Sequence, residues 1–88
     1  MYVVYHTTDF TDKAKRHDLF TRDTMDEAFS DLWLIASQNE KMLRDIGWGT
    51  HMQIGNLDKW KAAIQVLDPD NGSIQMVHYW NYEEVDDA

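Results

Sequence analysis

The sequence predicts an α+β domain in which one long α-helix packs on one face of a small antiparallel sheet of three to four strands, in the approximate order ββαββ. Apolar residues between positions 25 and 46 recur at spacings of three and four, which is typical of an amphipathic helix. The segments on either side are β-branched and aromatic and are separated by turn residues. With 88 residues, 43% hydrophobic residues and no cysteine, the chain can build one core without disulfides. We therefore expect a single domain over residues 1–82 and an acidic tail over residues 83–88.

The N-terminal part favours two strands. Met1–Thr8 is β-branched and aromatic almost throughout, so it predicts an opening strand. Arg16–Thr21 is predicted to form a hairpin with this strand, and a short helical turn is the alternative.

The helix has clear signals at both ends. Thr24 followed three residues later by Glu27 is a capping-box pattern, and Asp26 adds negative charge where the helix dipole favours it. Gly47 provides the C-terminal stop. The apolar stripe between these ends consists of Met25, Ala28, Phe29, Leu32, Ile35, Ala36, Met42, Leu43 and Ile46.

The C-terminal part contains a second hairpin in our interpretation. The glycine-punctuated connection from Gly47 to Lys59 includes Met52–Ile54 as a short extended piece. Trp60–Leu67 fits both helical spacing and strand alternation, so its type stays open at this stage. Because Asp68–Gly72 has strong turn chemistry and Ser73–Trp80 is a convincing strand, we predict a hairpin over residues 60–80.

Charge limits the partners of this chain. Sixteen acidic residues against eight Lys and Arg give a net charge of −8, which would repel nucleic acid phosphates and anionic lipids. No apolar run approaches the roughly 20 residues that span a bilayer, and the N-terminus does not resemble a signal peptide. We expect a cytoplasmic protein that binds neither nucleic acid nor membranes. A protein with a basic surface, such as a nucleic-acid enzyme, fits as a partner.

Catalytic and ligand motifs are not apparent. The four histidines do not occur in metal-binding spacings, although His6 and His78 lie on strands of the same predicted sheet and could be neighbours completed by a carboxylate. Neither a nucleophile–His–Asp pattern nor a phosphate-binding glycine loop is present. We expect no enzyme activity, no cofactor, no metal and no catalytic residue.

Acidic and tryptophan side chains are the candidate contacts with a partner. Four acids crowd the start of the helix, two more begin the tail, and Trp is common at binding hot spots. The alternative is that the acids only stabilise the helix dipole and aid solubility, and that Trp48 folds back to close the core. The candidate partner-binding residues are Asp23, Asp26, Glu27, Asp31, Trp33, Trp48, Glu83 and Glu84.

The general profile looks like that of many accessory proteins encoded by bacteriophages, including inhibitors that occupy host enzymes. This resemblance is one of type and assigns no residue roles. From the charge excess and the absence of catalytic motifs, we expect a small acidic, non-enzymatic protein-binding module. In its most specific form it is a phage-type inhibitor of a host or defence nucleic-acid-handling enzyme that acts through a DNA-mimic-like surface. The alternative is a structural or self-associating homodimeric domain that uses an open sheet face, suggested by Tyr79, Trp80 and Tyr82.

Overall fold

A computed structural model describes residues 1–9, 11–55 and 59–86. The elements in chain order are β1 (Tyr2–Thr7), a short 3₁₀ helix (Lys13–Lys15), β2 (His17–Arg22), α1 (Met25–Asp45), β3 (Gly49–Ile54), β4 (Ala62–Leu67) and β5 (Ile74–Glu84). The predicted α+β class and the single long helix on an antiparallel sheet are confirmed.

The predicted strand count and order are wrong, because the sheet has five strands and the order is ββαβββ. The missing element is β3, which starts at Gly49 rather than at Met52. Two glycines around Trp48 predicted a loop, but Gly49 lies within a strand. A Cβ at this position would lie 3.3 Å from Cβ of Leu67 on the neighbouring strand, so glycine lets the two backbones approach closely.

The strands are arranged in the order β2-β1-β5-β4-β3, and every neighbouring pair is antiparallel. β5 is the shared central strand of 11 residues. β1 pairs with its C-terminal half, from Tyr79 to Glu84, whereas β4 pairs with its N-terminal half, from Ile74 to Trp80. This stagger gives the molecule its elongated dimensions of 50 × 25 × 20 Å.

The two predicted hairpins are confirmed, so residues 62–67 form a strand and the helical alternative is wrong. β4 begins at Ala62, which lies opposite Trp80, and Trp60 therefore precedes the strand. Gly72 has a φ of 73°, as expected for the end of the predicted turn.

The helix begins and ends where the sequence predicts. The backbone N–H of Glu27 donates to Oγ1 of Thr24 at 3.2 Å, and the Thr24 hydroxyl donates to Oε1 of Glu27 at 2.9 Å. After Ile46, Gly47 takes a φ of 104°, and the N–H of Trp48 donates to the carbonyl of Leu43 at 3.0 Å. The left-handed glycine thus ends the helix and turns the chain toward β3.

The core lies between α1 and one face of the sheet. The helix contacts all five strands, and its buried residues are Ala28, Leu32 and Ala36. They pack against buried sheet residues Val4, Ala62, Ile64, Val66 and Trp80. Small alanines on both layers permit close approach, and a fully buried leucine such as Leu32 contributes about 1.5–3 kcal/mol.

Glu83 and Glu84, the first residues of the predicted tail, belong to β5, which continues through Glu84. Glu83 lies opposite Val3 and Glu84 opposite Tyr2, and the N–H of Val85 donates to the carbonyl of Met1 at 2.9 Å. The last two residues of the predicted tail lie outside the described part of the chain.

Candidate functional site

Four of the candidate acids meet at one end of the molecule. Asp23, Asp26 and Glu27 are exposed around the start of α1. Glu84 is also exposed, and it lies opposite Tyr2 of β1. On its other side, Tyr2 pairs with Arg22 of β2, the residue that precedes Asp23. With strands about 4.8 Å apart, Glu84 lies roughly 10 Å across the sheet from the strand that leads into the helix. We call Asp23, Asp26, Glu27 and Glu84 the acidic end.

Two tyrosines lie between these carboxylates. The rings of Tyr2 and Tyr82 meet edge to face with centroids 5.8 Å apart. The hydroxyl of Tyr2 donates to Oε2 of Glu84 at 3.3 Å, and the negative charge of Glu84 is the main cause of the raised pKa of Tyr2. Burial, followed by the charge of Asp26, raises the pKa of Tyr82. Both tyrosines therefore experience the negative potential of the acidic end.

Two cationic side chains near the acidic end, Arg22 and Lys61, are paired with other groups or buried. Nε of Arg22 donates to a carboxylate oxygen of Asp31, and another of its nitrogens donates to the carbonyl of Thr21 at 2.7 Å. Lys61 is buried, with its ammonium 5.2 Å from the centroid of the Tyr82 ring. These cations leave the carboxylates of the acidic end facing solvent.

Two other candidate acids are paired with arginine. Asp31 is held by Arg22 on the flank of α1 that faces β2. Glu83 accepts from Arg16 at 2.7 Å, and Arg16 also donates to Asp18 at 2.8 Å while its guanidinium lies 3.9 Å above the Tyr5 ring. Glu83 projects from the sheet face opposite the helix, since it alternates with Tyr82, which packs on the helix face. The structure thus separates Glu83 from the acidic end and neutralises Asp31.

The two candidate tryptophans are partly exposed and lie at different distances from the acidic end. Trp33 is 46% exposed, on α1. Trp48 is 38% exposed and directly precedes β3. Trp33 follows Asp26 by seven residues, so it lies on the same helix face about 10 Å further along the axis, whereas Trp48 follows the opposite end of the helix.

A histidine groove is a feature that the sequence only partly indicated. It has a volume of about 360 Å³ and lies between α1 and the sheet, lined by His6, His17, Leu19, Ile35, Asn39, His78 and Trp80. The expected proximity of His6 and His78 is confirmed, with Nε2 of His6 2.8 Å from Nδ1 of His78. The His17 ring stacks on His6 at 6.5 Å between centroids, which no local pattern indicated.

Burial in this groove, reinforced by His78 and then His17, lowers the pKa of His6 to about 4. Burial also lowers the pKa of His78. Both imidazoles are therefore neutral near pH 7, and one donates its N–H to the other. Among the described residues, no three His, Cys, Asp or Glu side chains are arranged to hold a metal ion.

Comparison of the chain with protein-family models, with curated proteins and with solved structures finds no match. Within the described ranges, no helix has both the length and the apolar character needed to cross a membrane.

Proposed function

We propose that this protein is a small non-enzymatic module that binds another protein through its acidic end. The observation that carries the proposal is that Glu84 of β5 lies near the helix start, where Asp23 precedes the N-cap and Asp26 and Glu27 belong to the first turn. These carboxylates are exposed, while Arg22 next to them is taken up by Asp31. Since they lie within about one to two Debye lengths of each other at physiological salt, they act together on an approaching basic surface.

In its most specific form, the partner is a nucleic-acid-handling enzyme of a host or of a defence system, and the protein is a phage-type inhibitor. An enzyme that binds nucleic acid presents Lys and Arg to phosphates. Fixed carboxylates on a rigid helix start and strand end can occupy such a surface as a DNA mimic would. The net charge of −8 supports this choice, because it disfavours direct binding to nucleic acid.

The alternative of a homodimer through the open sheet face has less support. Of the aromatic residues that suggested it, Trp80 is buried and Tyr82 packs on the helix side of the sheet.

The test is an affinity capture from nuclease-treated bacterial lysate with D26K/E84K, which reverses one charge on each element of the acidic end. The matched control D45K/D70K makes the same change in net charge at exposed positions elsewhere. Glu27 is left intact because it takes part in the helix cap. We expect a retained nucleic-acid enzyme that is lost with D26K/E84K, kept with D45K/D70K and displaced by duplex DNA. A partner that binds D26K/E84K as well as the wild type, at low and at high salt, would show that the acidic end is not the contact.

A further inference from the structure

The two outer strands of the sheet differ in how they are protected against pairing with another chain. β2 carries Asp18 and Arg22, and its pairing with β1 shifts register between Val4 and Tyr5. Charges and bulges of this kind discourage edge-to-edge pairing. β3, with the sequence GTHMQI, contains neither a charged residue nor a proline, and its pairing with β4 is regular over all six residues. Of the two outer strands that the structure describes, β3 is thus the one without such protection.

The outer side of β3 carries backbone hydrogen-bonding groups that no described strand pairs with. β4 occupies one side of β3, and no other described strand pairs with the opposite side. In an antiparallel sheet, alternate residues point their N–H and C=O groups along such a free edge. A second strand of the same length can add there without any rearrangement of the sheet.

Exposed apolar side chains flank both ends of this edge. Met52 and Ile54 lie on the helix side of β3, since Met52 packs against the core, and Ile54 is 37% exposed. Trp48 precedes the first residue of the strand. Trp33 follows Asp31 by two residues, which is a rotation of about 200° around the helix. Because Asp31 faces Arg22 on β2, Trp33 lies on the flank of α1 directed toward β3.

We propose that β3 pairs antiparallel with β3 of a second copy of this chain, which joins two five-stranded sheets into one continuous sheet around a two-fold axis. With Met52 opposite its own copy, Thr50 lies opposite Ile54 and His51 opposite Gln53. This arrangement keeps both helices on the same face of the sheet. It also places Trp48 of each copy beside Ile54 of the other copy and beside the side of that copy's helix that carries Trp33. The apolar patches of the two copies are therefore self-complementary.

The charge distribution favours a second copy despite the net charge of −8. The acids nearest the end of α1 are already paired, Asp45 with Lys41 at 2.7 Å and Glu40 with Arg44 at 3.6 Å. The acidic end belongs to β5 and to the chain that leaves β2, and β4 lies between β5 and β3. Glu84 lies two strand spacings, about 10 Å, across the sheet from β3, and four residues, about 13 Å, along β5 beyond Trp80, whose row ends at Ile54. The combined separation of about 16 Å is about twice the Debye length at physiological salt. Like-charge repulsion is therefore small at the proposed interface.

The test is sedimentation equilibrium of the wild type from about 1 μM to 1 mM, a range suited to a small interface. The informative variants are H51K/Q53K and H51E/Q53E, in which the exposed side chains of β3 carry like charges that face each other across the proposed pairing. We expect a wild-type dimer, at least about tenfold weaker self-association for each variant, and restored association in an equimolar mixture of the two. The mixture also shows that loss in the single variants does not reflect misfolding.

The control is Q75K, which puts a lysine on the exposed part of β5 that β1 does not cover. Q75K should dimerise like the wild type. The proposal would be overturned if the wild type stayed monomeric up to 1 mM, if H51K/Q53K still dimerised like the wild type, or if Q75K disrupted the dimer instead. None of these outcomes bears on binding at the acidic end. A mixture of the two folded β3 variants that does not associate would also overturn it.

Discussion

Replacing His6 with glutamine should make the folded protein less sensitive to acid. In the wild type, burial lowers the pKa of His6 from 6.5 to about 4, with smaller contributions from His78 and His17. As pH falls below 6.5, the unfolded chain takes up a proton at His6 while the folded chain does not. Stability from neutral His6 is therefore fully present above pH 6.5 and is lost as the pH falls toward 4. Glutamine keeps a polar side chain near His78 but does not titrate.

The magnitude follows from the two pKa values. Between pH 7 and pH 4.5, a shift from 6.5 to about 4 corresponds to a loss of at most about 2 kcal/mol. Because His6 is only half-buried, solvent screens part of this effect, and we expect about 1 kcal/mol. Burial causes the lowered pKa of His78, and because H6Q keeps a side chain of similar length over it, the difference between wild type and H6Q reports mainly on His6.

The assay is urea unfolding followed by tryptophan fluorescence at several pH values between 7 and 4.5, with equal protein concentrations. Between pH 7 and pH 4.5, the free energy of unfolding of the wild type should fall by about 1 kcal/mol more than that of H6Q. H51Q is the control, because His51 is exposed on β3, outside the groove, and its curve should parallel that of the wild type. Parallel curves for wild type and H6Q would refute the reasoning, since they would mean that His6 accepts a proton as readily in the folded chain as in the unfolded one.

Two further predictions concern the helix. Leu32→Ala should lower the free energy of unfolding by about 2–5 kcal/mol because Leu32 is fully buried, whereas Leu34→Ala, at a position that is 49% exposed, should change it by no more than about 0.5 kcal/mol. Similar losses for both in chemical denaturation would contradict the assigned helix face. Thr24→Ala should cost about 1 kcal/mol through loss of the N-terminal cap, and Ser30→Ala, exposed within the helix, should be nearly neutral in the same measurement. A neutral Thr24→Ala would mean that the cap does not limit stability.

Local chemistry accounts for the elements that could be predicted. The helix carries its own cap at Thr24 and its own stop at Gly47, and Asp68–Gly72 specifies the turn between two alternating segments. β3 was predicted only as a short extended piece over Met52–Ile54, because it is a strand of mixed composition introduced by glycine. Its formation depends on β4 beside it and α1 above it, which are tertiary contacts that override weak local preference.

The candidate site was only partly predictable for the same reason. The acids at the helix start are neighbours in sequence, but the approach of Glu84 to them requires β5 to pair with β1 across the whole length of the chain. Whether an acid is available for binding depends on such pairings as well. Asp31 is indistinguishable from Asp26 in sequence, yet only Asp31 faces the arginine that precedes the helix on β2.

The acidic end and the β3 edge are compatible within one assembly because Glu84 lies about 16 Å from the nearer end of β3, two strands across the sheet and four residues beyond the row of Ile54. A dimer formed through β3 leaves the acidic end of each copy exposed and directed outward. Two acidic ends on one rigid sheet could bind a dimeric or extended basic partner at the same time. Once the first acidic end is bound, the second is held at a high effective concentration near its site, so the dimer binds more tightly than a monomer. H51K/Q53K should therefore weaken capture of such a partner even though every carboxylate of the acidic end is intact. For a partner with a single basic surface, capture by the wild type and by this variant should be equal, so the comparison distinguishes the two kinds of target.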